Sequence, residues 1–119
     1  MIGWGGTIEA SSLIHRLSSY LRHRDTLTTL IEFPWKSLGE NASVCDIGGG
    51  VGNISMQLAK AYPQLQVKLQ DLPERIQQAK YEVWPERCPE AIAENRIEFK
   101  PIDFLAESPI PNCDAYFVS

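Results

Sequence analysis

A glycine-rich run, Asp46-Ile47-Gly48-Gly49-Gly50-Val51-Gly52, holds the residues best suited to chemistry in this chain. An acid closes a predicted strand, and the glycines at 48, 50 and 52 open a predicted helix. Such a turn lets a ligand press against backbone that a Cβ would block. The Gly-x-Gly-x-Gly spacing, with Asp46 directly ahead, favours a cationic ligand bearing an amino acid over a pyrophosphate. A dinucleotide turn and a turn built for packing alone are the alternatives.

Asp71 is the second candidate, nineteen residues after Gly52 and at the end of the next predicted strand. A carboxylate in that place can accept hydrogen bonds from both ribose hydroxyls of an adenosine. Helix capping is the competing role, since Pro73 follows two residues later and an acid is common at an N-cap. Both roles can hold at once.

Asp103 and Phe104 follow the third predicted strand. They offer an acceptor for an exocyclic amine and an aromatic face for a purine. Taken alone, Asp103 is an ordinary loop acid. Its place beyond the carboxyl end of a parallel strand favours a ligand role, because open parallel sheets bind ligands at that edge.

Alternating strands and helices must position these residues. Short buried runs predict four strands, and 3.6-residue periodicity predicts two connecting helices and an amphipathic helix near the N-terminus. Helix-joined strands of this length imply an α/β fold with a parallel sheet. The predicted elements are a helical segment over residues 1–32, strands at 44–47, 67–70, 96–100 and 115–118, and helices at 53–62 and 73–83.

Composition narrows the function classes. The 119 residues carry a net charge of -4, so the chain has no basic field for nucleic acid or anionic lipid. No apolar run reaches the roughly 20 residues that span a bilayer, and the N-terminus lacks a secretory layout, so we expect a cytoplasmic protein.

Three widely spaced cysteines suggest reduced thiols, with Cys45 in the core. Carboxylates at 46, 71 and 103 are spread out, so we expect no metal site.

Five stretches resemble, in order and interval, the S-adenosylmethionine-dependent O-methyltransferases of the plant caffeate and fungal secondary-metabolite type: Phe33-Pro34-Trp35, the run 44–52, Gln70-Asp71-Leu72-Pro73, Ile102-Asp103-Phe104 and Asp114-Ala115-Tyr116-Phe117. The resemblance covers residues 33–119 and implies a partial Rossmann-like methyltransferase domain that methylates a hydroxyl of a small aromatic or secondary-metabolite acceptor. It also implies S-adenosylmethionine as cofactor. The implied cofactor residues are Asp46, Gly48, Gly49, Gly50 and Gly52 near the methionine and ribose, Asp71 and Leu72 near the ribose, and Asp103 and Phe104 near the adenine.

The resemblance also implies what is missing. In the family, a histidine beyond the strand at 115–118 acts as general base, and this chain ends at Ser119. We therefore expect a fragment with cofactor motifs, no catalytic residue and no activity alone. Residues 16–32 look unlike the family and are interpreted as an insertion. The alternative function is a non-catalytic, truncated relative that competes for the cofactor or pairs with a full-length methyltransferase, as a homo- or heterodimer, through an open sheet edge at Ala115–Val118.

Overall fold

A computed structural model describes residues 35–118 and the backbone of Ile2–Trp4. One five-stranded sheet has the order β1-β5-β2-β3-β4, in which β5, β2, β3 and β4 are parallel and β1 is antiparallel to β5. The predicted four-stranded parallel sheet with flanking helices is confirmed. The strands are β1 (Ile2–Trp4), β2 (Ser43–Ile47), β3 (Gln66–Asp71), β4 (Ile97–Pro101) and β5 (Ala115–Val118). The helices are α1 (Asn53–Ala61), α2 (Pro73–Gln78), α3 (Trp84–Arg87) and α4 (Pro89–Ala93).

The N-terminal strand corrects two expectations. Ile2–Trp4 is extended where a helical segment was predicted, and it pairs with β5 through Ile2 opposite Phe117 and Trp4 opposite Ala115. Ile and Trp both favour strands, and β5 offers an unfilled ladder of hydrogen-bonding groups. The β5 edge expected to be open is therefore covered. The rest of the predicted helical segment, including the proposed insertion at 16–32, lies outside the described residues.

The core lies between the sheet and its helices. Val44 in β2 stands opposite Ala115 on one side and Val67 on the other, and all three are buried. Alternate strand residues point to the same face, so this row meets the apolar side of α1, where Leu58 and Ala59 are buried. The arrangement puts the carboxyl ends of β2, β3 and β4 at one edge of the sheet.

The connection from β3 to β4 is more broken than predicted. In place of one helix over 73–83, α2 passes into a π-helical turn at Ala79–Val83 and then into α3 and α4, each with a proline in its first turn. The wider π turn shifts the helical phase. It brings Trp84 into the core, with its ring edge-on to Phe99 at 5.7 Å between centroids.

Every helix among residues 35–118 is too short or too polar to cross a membrane.

Candidate functional site

The glycine turn joins β2 to α1. Gly48, Gly50 and Gly52 have φ values of +72°, +63° and +92°, a left-handed backbone that side chains rarely tolerate. The Gly48 amide donates to the Gln70 carbonyl at 2.8 Å, so the turn starts against β3. The Gly52 amide donates to the Gly49 carbonyl at 2.9 Å, and α1 begins at the next residue. Glycine at these positions is a conformational requirement.

Asp71 ties the end of β3 to this turn. Its Oδ2 accepts the Gly50 amide at 2.7 Å, and its Oδ1 accepts the Leu72 amide at 2.6 Å. The residue is 9% exposed, at the margin of burial. The helix-capping alternative is not seen, because α2 begins after Leu72 without a side-chain cap. Each carboxylate oxygen keeps a further lone pair for a ligand hydroxyl.

Asp46 lies beneath the turn rather than in front of it. The residue is completely buried, and its Oδ2 accepts the hydroxyl of Ser55 on α1. A Cβ on Gly49 would clash with the same carboxylate. The backbone of Gly49 therefore rests on Asp46, and the acid holds the turn and the start of α1 together.

Gly52 faces the core. A Cβ there would lie 2.8 Å from Trp84 Nε1 and 2.9 Å from Leu69 Cδ2. The Trp84 indole also donates to the Val51 carbonyl at 2.8 Å. Gly52 thus serves close packing, which is the alternative that the sequence left open for the glycine run. Gly50 differs, because a Cβ built on it would have no atom within 4 Å.

The loop after β4 brings its aromatic residue to the turn. The Ile102 amide donates to the Asp71 carbonyl at 2.9 Å, which anchors the loop beside β3. Phe104 is half-buried, and its Cζ lies 3.9 Å from the Cβ position of Gly48. Asp103 is exposed, and its Oδ1 accepts the Leu105 amide at 3.0 Å within the loop. Leu72 is 50% exposed beside Asp71.

Two polar residues that sequence reasoning missed support the site. Ser55 holds Asp46, as described above. Gln70 is fully buried, and its Oε1 accepts hydrogen bonds from the Ile110 amide at 2.8 Å and from the Cys45 thiol at 3.4 Å. Each could have been found in the sequence as a polar residue at a position that the periodicity assigns to the buried side of a helix or strand. Gln70 fixes the segment that returns from Phe104 to β5.

Cys45 and Cys113 form a thiol pair on the sheet face opposite α1. All three cysteines are free and buried, which confirms the core position predicted for Cys45. Interaction with the neighbouring Cys45 thiol lowers the pKa of Cys113 to about 7. The same interaction, together with burial, raises the pKa of Cys45. Residues 35–118 contain no group of three or more His, Cys, Asp or Glu side chains that could hold a metal ion.

The arrangement fits a ligand with a planar ring and a pair of hydroxyls. The open side of Gly50 admits close approach of a ligand to backbone. Asp71 bonds Gly50 directly, so hydrogen-bond acceptors adjoin that opening. Half-buried Phe104 adds an aromatic surface next to Gly48. These residues suit a nucleoside-type cofactor such as S-adenosylmethionine.

The fold is a Rossmann-like α/β domain, and the candidate site lies at the carboxyl ends of its parallel strands. A family model of the O-methyltransferase domain matches residues 18–119. The chain belongs to this O-methyltransferase domain family, which confirms the family predicted from the sequence.

Curated relatives agree with this assignment. The chain is 46% identical over 87 residues to O-methyltransferase cicE of Emericella nidulans, covering 73% of this chain and 16% of that protein. It is 33% identical over 118 residues to 3-O-methyltransferase 2 of Phanerochaete chrysosporium, covering 99% of this chain and 23% of that protein. The chain therefore spans less than a quarter of the length of these relatives.

A solved structure supports the fold. The apo form of the S-adenosylmethionine-dependent methyltransferase SibL matches with a TM-score of 0.52 and 24% identity. The match covers 81% of this chain and 26% of that one.

Proposed function

We propose that the described residues form the S-adenosylmethionine-binding part of an O-methyltransferase. The observation that carries the proposal is the Asp71 carboxylate bonded to the Gly50 amide at 2.7 Å, beside the open face of that glycine. A carboxylate held this way is already oriented for ribose hydroxyls. Phe104 would stack on the adenine, and the exposed Asp103 would accept its amine. Leu72 would cover the ribose.

The remaining glycines have separate roles in this proposal. Gly48, Gly49 and Gly50 would border the methionine and ribose. Asp46 would act by holding Gly49 in place, and Gly52 by closing the turn against Trp84. Bound S-adenosylmethionine supplies an electrophilic methyl group on its sulfonium sulfur. Binding and orientation by these residues would hold that group in line with an acceptor.

The acceptor is proposed to be a hydroxyl on a small aromatic or secondary-metabolite molecule. The names of the fungal relatives, which are O-methyltransferases, support methyl transfer to an oxygen atom of the acceptor. Methyl transfer to a hydroxyl needs a base to take the proton. Residues 35–118 contain no histidine, since the two in the sequence are His15 and His23. We propose that this chain binds cofactor and does not transfer the methyl group by itself.

Calorimetric titration of the 119-residue chain with S-adenosylhomocysteine tests the proposal. Asp71→Ala should weaken binding about 10- to 100-fold, because a hydrogen bond to a charged group is worth roughly 1.5–3 kcal/mol. Glu86→Gln, at an exposed position on α3, is the control and should leave the affinity unchanged. Circular dichroism establishes that each variant is folded.

Two results would contradict the proposal. A folded chain that fails to bind S-adenosylhomocysteine would refute the cofactor site. Turnover of a phenolic acceptor by the purified chain would refute the claim that it is inactive alone. Titration with NAD in place of S-adenosylhomocysteine distinguishes the dinucleotide alternative.

A further inference from the structure

The outer edge of β4 carries hydrogen-bonding groups that no other described strand uses. Within the described part of the chain, β4 pairs with β3 alone. The Val67 amide donates to the Arg96 carbonyl and the Ile102 amide donates to the Asp71 carbonyl, so even-numbered residues of β4 face β3. Backbone groups alternate along a strand. The amides and carbonyls of Ile97 and Phe99 therefore point outward, together with the Pro101 carbonyl.

An apolar groove of about 500 Å³ runs beside this edge. Ile97 and Phe99 contribute to its wall from β4, and Tyr81, Pro85, Pro89 and Ile92 contribute from the helices. Tyr81 is 65% exposed and Ile92 is 37% exposed. They are two of the four large apolar residues that are exposed in the described part of the chain. Both line this groove beside the unpaired edge of β4, and such a cluster of exposed apolar side chains marks an interaction surface.

We propose that the β4 edge is a homodimer surface, on which β4 of a second copy pairs antiparallel about a two-fold axis at Phe99. The two Phe99 residues exchange amide-to-carbonyl hydrogen bonds. Each Ile97 amide then donates to the Pro101 carbonyl of the second copy. Pro101 has no amide, and in this register its carbonyl still finds a partner. The two grooves meet on the same face of the joined sheet.

Charge selects this register. With Phe99 on the axis, Glu98 of each copy lies opposite Lys100 of the other. Lys68 already binds Glu98 at 2.8 Å within one chain, so Glu98 would lie between two lysines. Sliding the pairing by two residues puts either Glu98 opposite Glu98 or Lys100 opposite Lys100 on the axis. Like charges directly opposite each other are destabilising, so those registers are disfavoured.

Lysine and proline at a strand edge commonly prevent pairing. Here Lys100 and Pro101 disfavour pairing with strands of other sequence. A second β4, by contrast, places Glu98 opposite Lys100 and the Ile97 amide opposite the Pro101 carbonyl. The β5 edge predicted from the sequence cannot serve, because β1 covers it. The β4 surface is distinct from the proposed cofactor site, and assembly can be measured without any cofactor.

Sedimentation velocity on the 119-residue chain and its charge variants tests the dimer. The wild type should dimerise as concentration rises. Glu98→Lys and Lys100→Glu should each weaken the dimer at least tenfold, because each puts like charges opposite each other. An equimolar mixture of the two variants should regain it, since every lysine then meets a glutamate. Lys60→Glu, exposed on α1, is the matched charge-reversal control and should have no effect.

Amide hydrogen exchange gives an independent readout that needs no variant. Exchange at Ile97 and Phe99 should slow as the chain is concentrated. A wild-type chain that stays monomeric overturns the proposal. So does a dimer that both charge reversals leave intact, or a mixture that fails to recover the dimer.

Discussion

The Asp71 carboxylate accepts the Gly50 amide at 2.7 Å, which joins the end of β3 to the turn that follows β2. The bond links two parts of the chain that are twenty-one residues apart. It uses one lone pair of Oδ2 and orients the side chain before any ligand arrives. Preorganisation of this kind lowers the entropic cost of binding.

Adjacent glycines should fail in different ways when changed to alanine. In Gly49→Ala, the new Cβ would overlap the Asp46 carboxylate, so the free energy of unfolding should fall by about 1–3 kcal/mol. In Gly50→Ala, the Cβ points into open space, so the cost comes from the left-handed backbone and should be about 1–2 kcal/mol. The affinity of Gly50→Ala for S-adenosylhomocysteine should fall sharply, because the alanine methyl group occupies the open side of residue 50 where the ligand is proposed to bind.

Gly39 provides the control for the backbone effect. Its φ is +90° and a Cβ on it would meet nothing within 4 Å, yet it lies in the turn before β2 and away from the site. Gly39→Ala should show a stability loss similar to that of Gly50→Ala in urea unfolding, with unchanged binding by calorimetry. Equal affinity losses in both variants would contradict a ligand role for the Gly50 face.

Asp46 and Ser55 should act as a positioning pair. Ser55→Ala removes a donor from a fully buried carboxylate and should cost about 2 kcal/mol in urea unfolding. Because Asp46 has no exposed surface, Asp46→Asn should change affinity for S-adenosylhomocysteine mainly through this loss of stability. A large affinity loss in Asp46→Asn with normal stability would instead indicate direct contact with the cofactor.

Much of the fold was predictable because the parallel strands are short apolar runs between turn residues. The predicted strand at 44–47 lies within β2, and the one at 115–118 coincides with β5. The π turn at Ala79–Val83 was not predictable, since its sequence continues a helical pattern and packing of Trp84 decides the phase. Ile2–Trp4 is too short a run to predict a strand without the partner that β5 supplies.

The sequence predicted the glycine turn, Asp71 and Phe104, which the structure brings together, but it missed Ser55 and Gln70 and left several roles open. Spacing identified the glycines and Asp71. A left-handed turn requires glycines, and the end of a buried strand is visible where an apolar run gives way to an acid. The different roles of Gly50 and Gly52 depend on which atoms lie near the position that a Cβ would take at each residue. Likewise, the burial of Asp46 depends on Ser55, nine residues later on a helix. Such contacts are tertiary and leave no local pattern.

Trp84 and Gly52 should be energetically coupled. Trp84→Phe removes the donor to the Val51 carbonyl and leaves a small void, so it should cost about 3 kcal/mol. Gly52→Ala should be more destabilising, since its Cβ would lie 2.8 Å from the indole nitrogen in a left-handed backbone. The double variant should lose less than the sum, because Phe lacks that nitrogen. Urea unfolding of all four proteins measures the coupling, and strict additivity would contradict the contact.

The thiol pair should make stability depend on pH. The pKa of Cys113 is about 7 in the folded chain, against an ordinary value of 9.0, so between these values the unfolded chain binds more protons. The free energy of unfolding should therefore rise from pH 7 to pH 9, by up to about 2 kcal/mol. The raised pKa of Cys45 acts in the opposite sense, but only above pH 9, where the unfolded thiol ionises.

Urea midpoints between pH 6.5 and 8.5 measure this rise. Cys113→Ser should flatten it, because serine does not titrate there. Cys88→Ser is the matched control. Burial raises the pKa of Cys88, so this thiol affects the free energy of unfolding only above pH 9. The rise in stability between pH 6.5 and 8.5 should therefore persist in Cys88→Ser. A wild-type midpoint that stays constant across this interval, or a slope that survives in Cys113→Ser, would show that the Cys113 proton is not released in the folded chain.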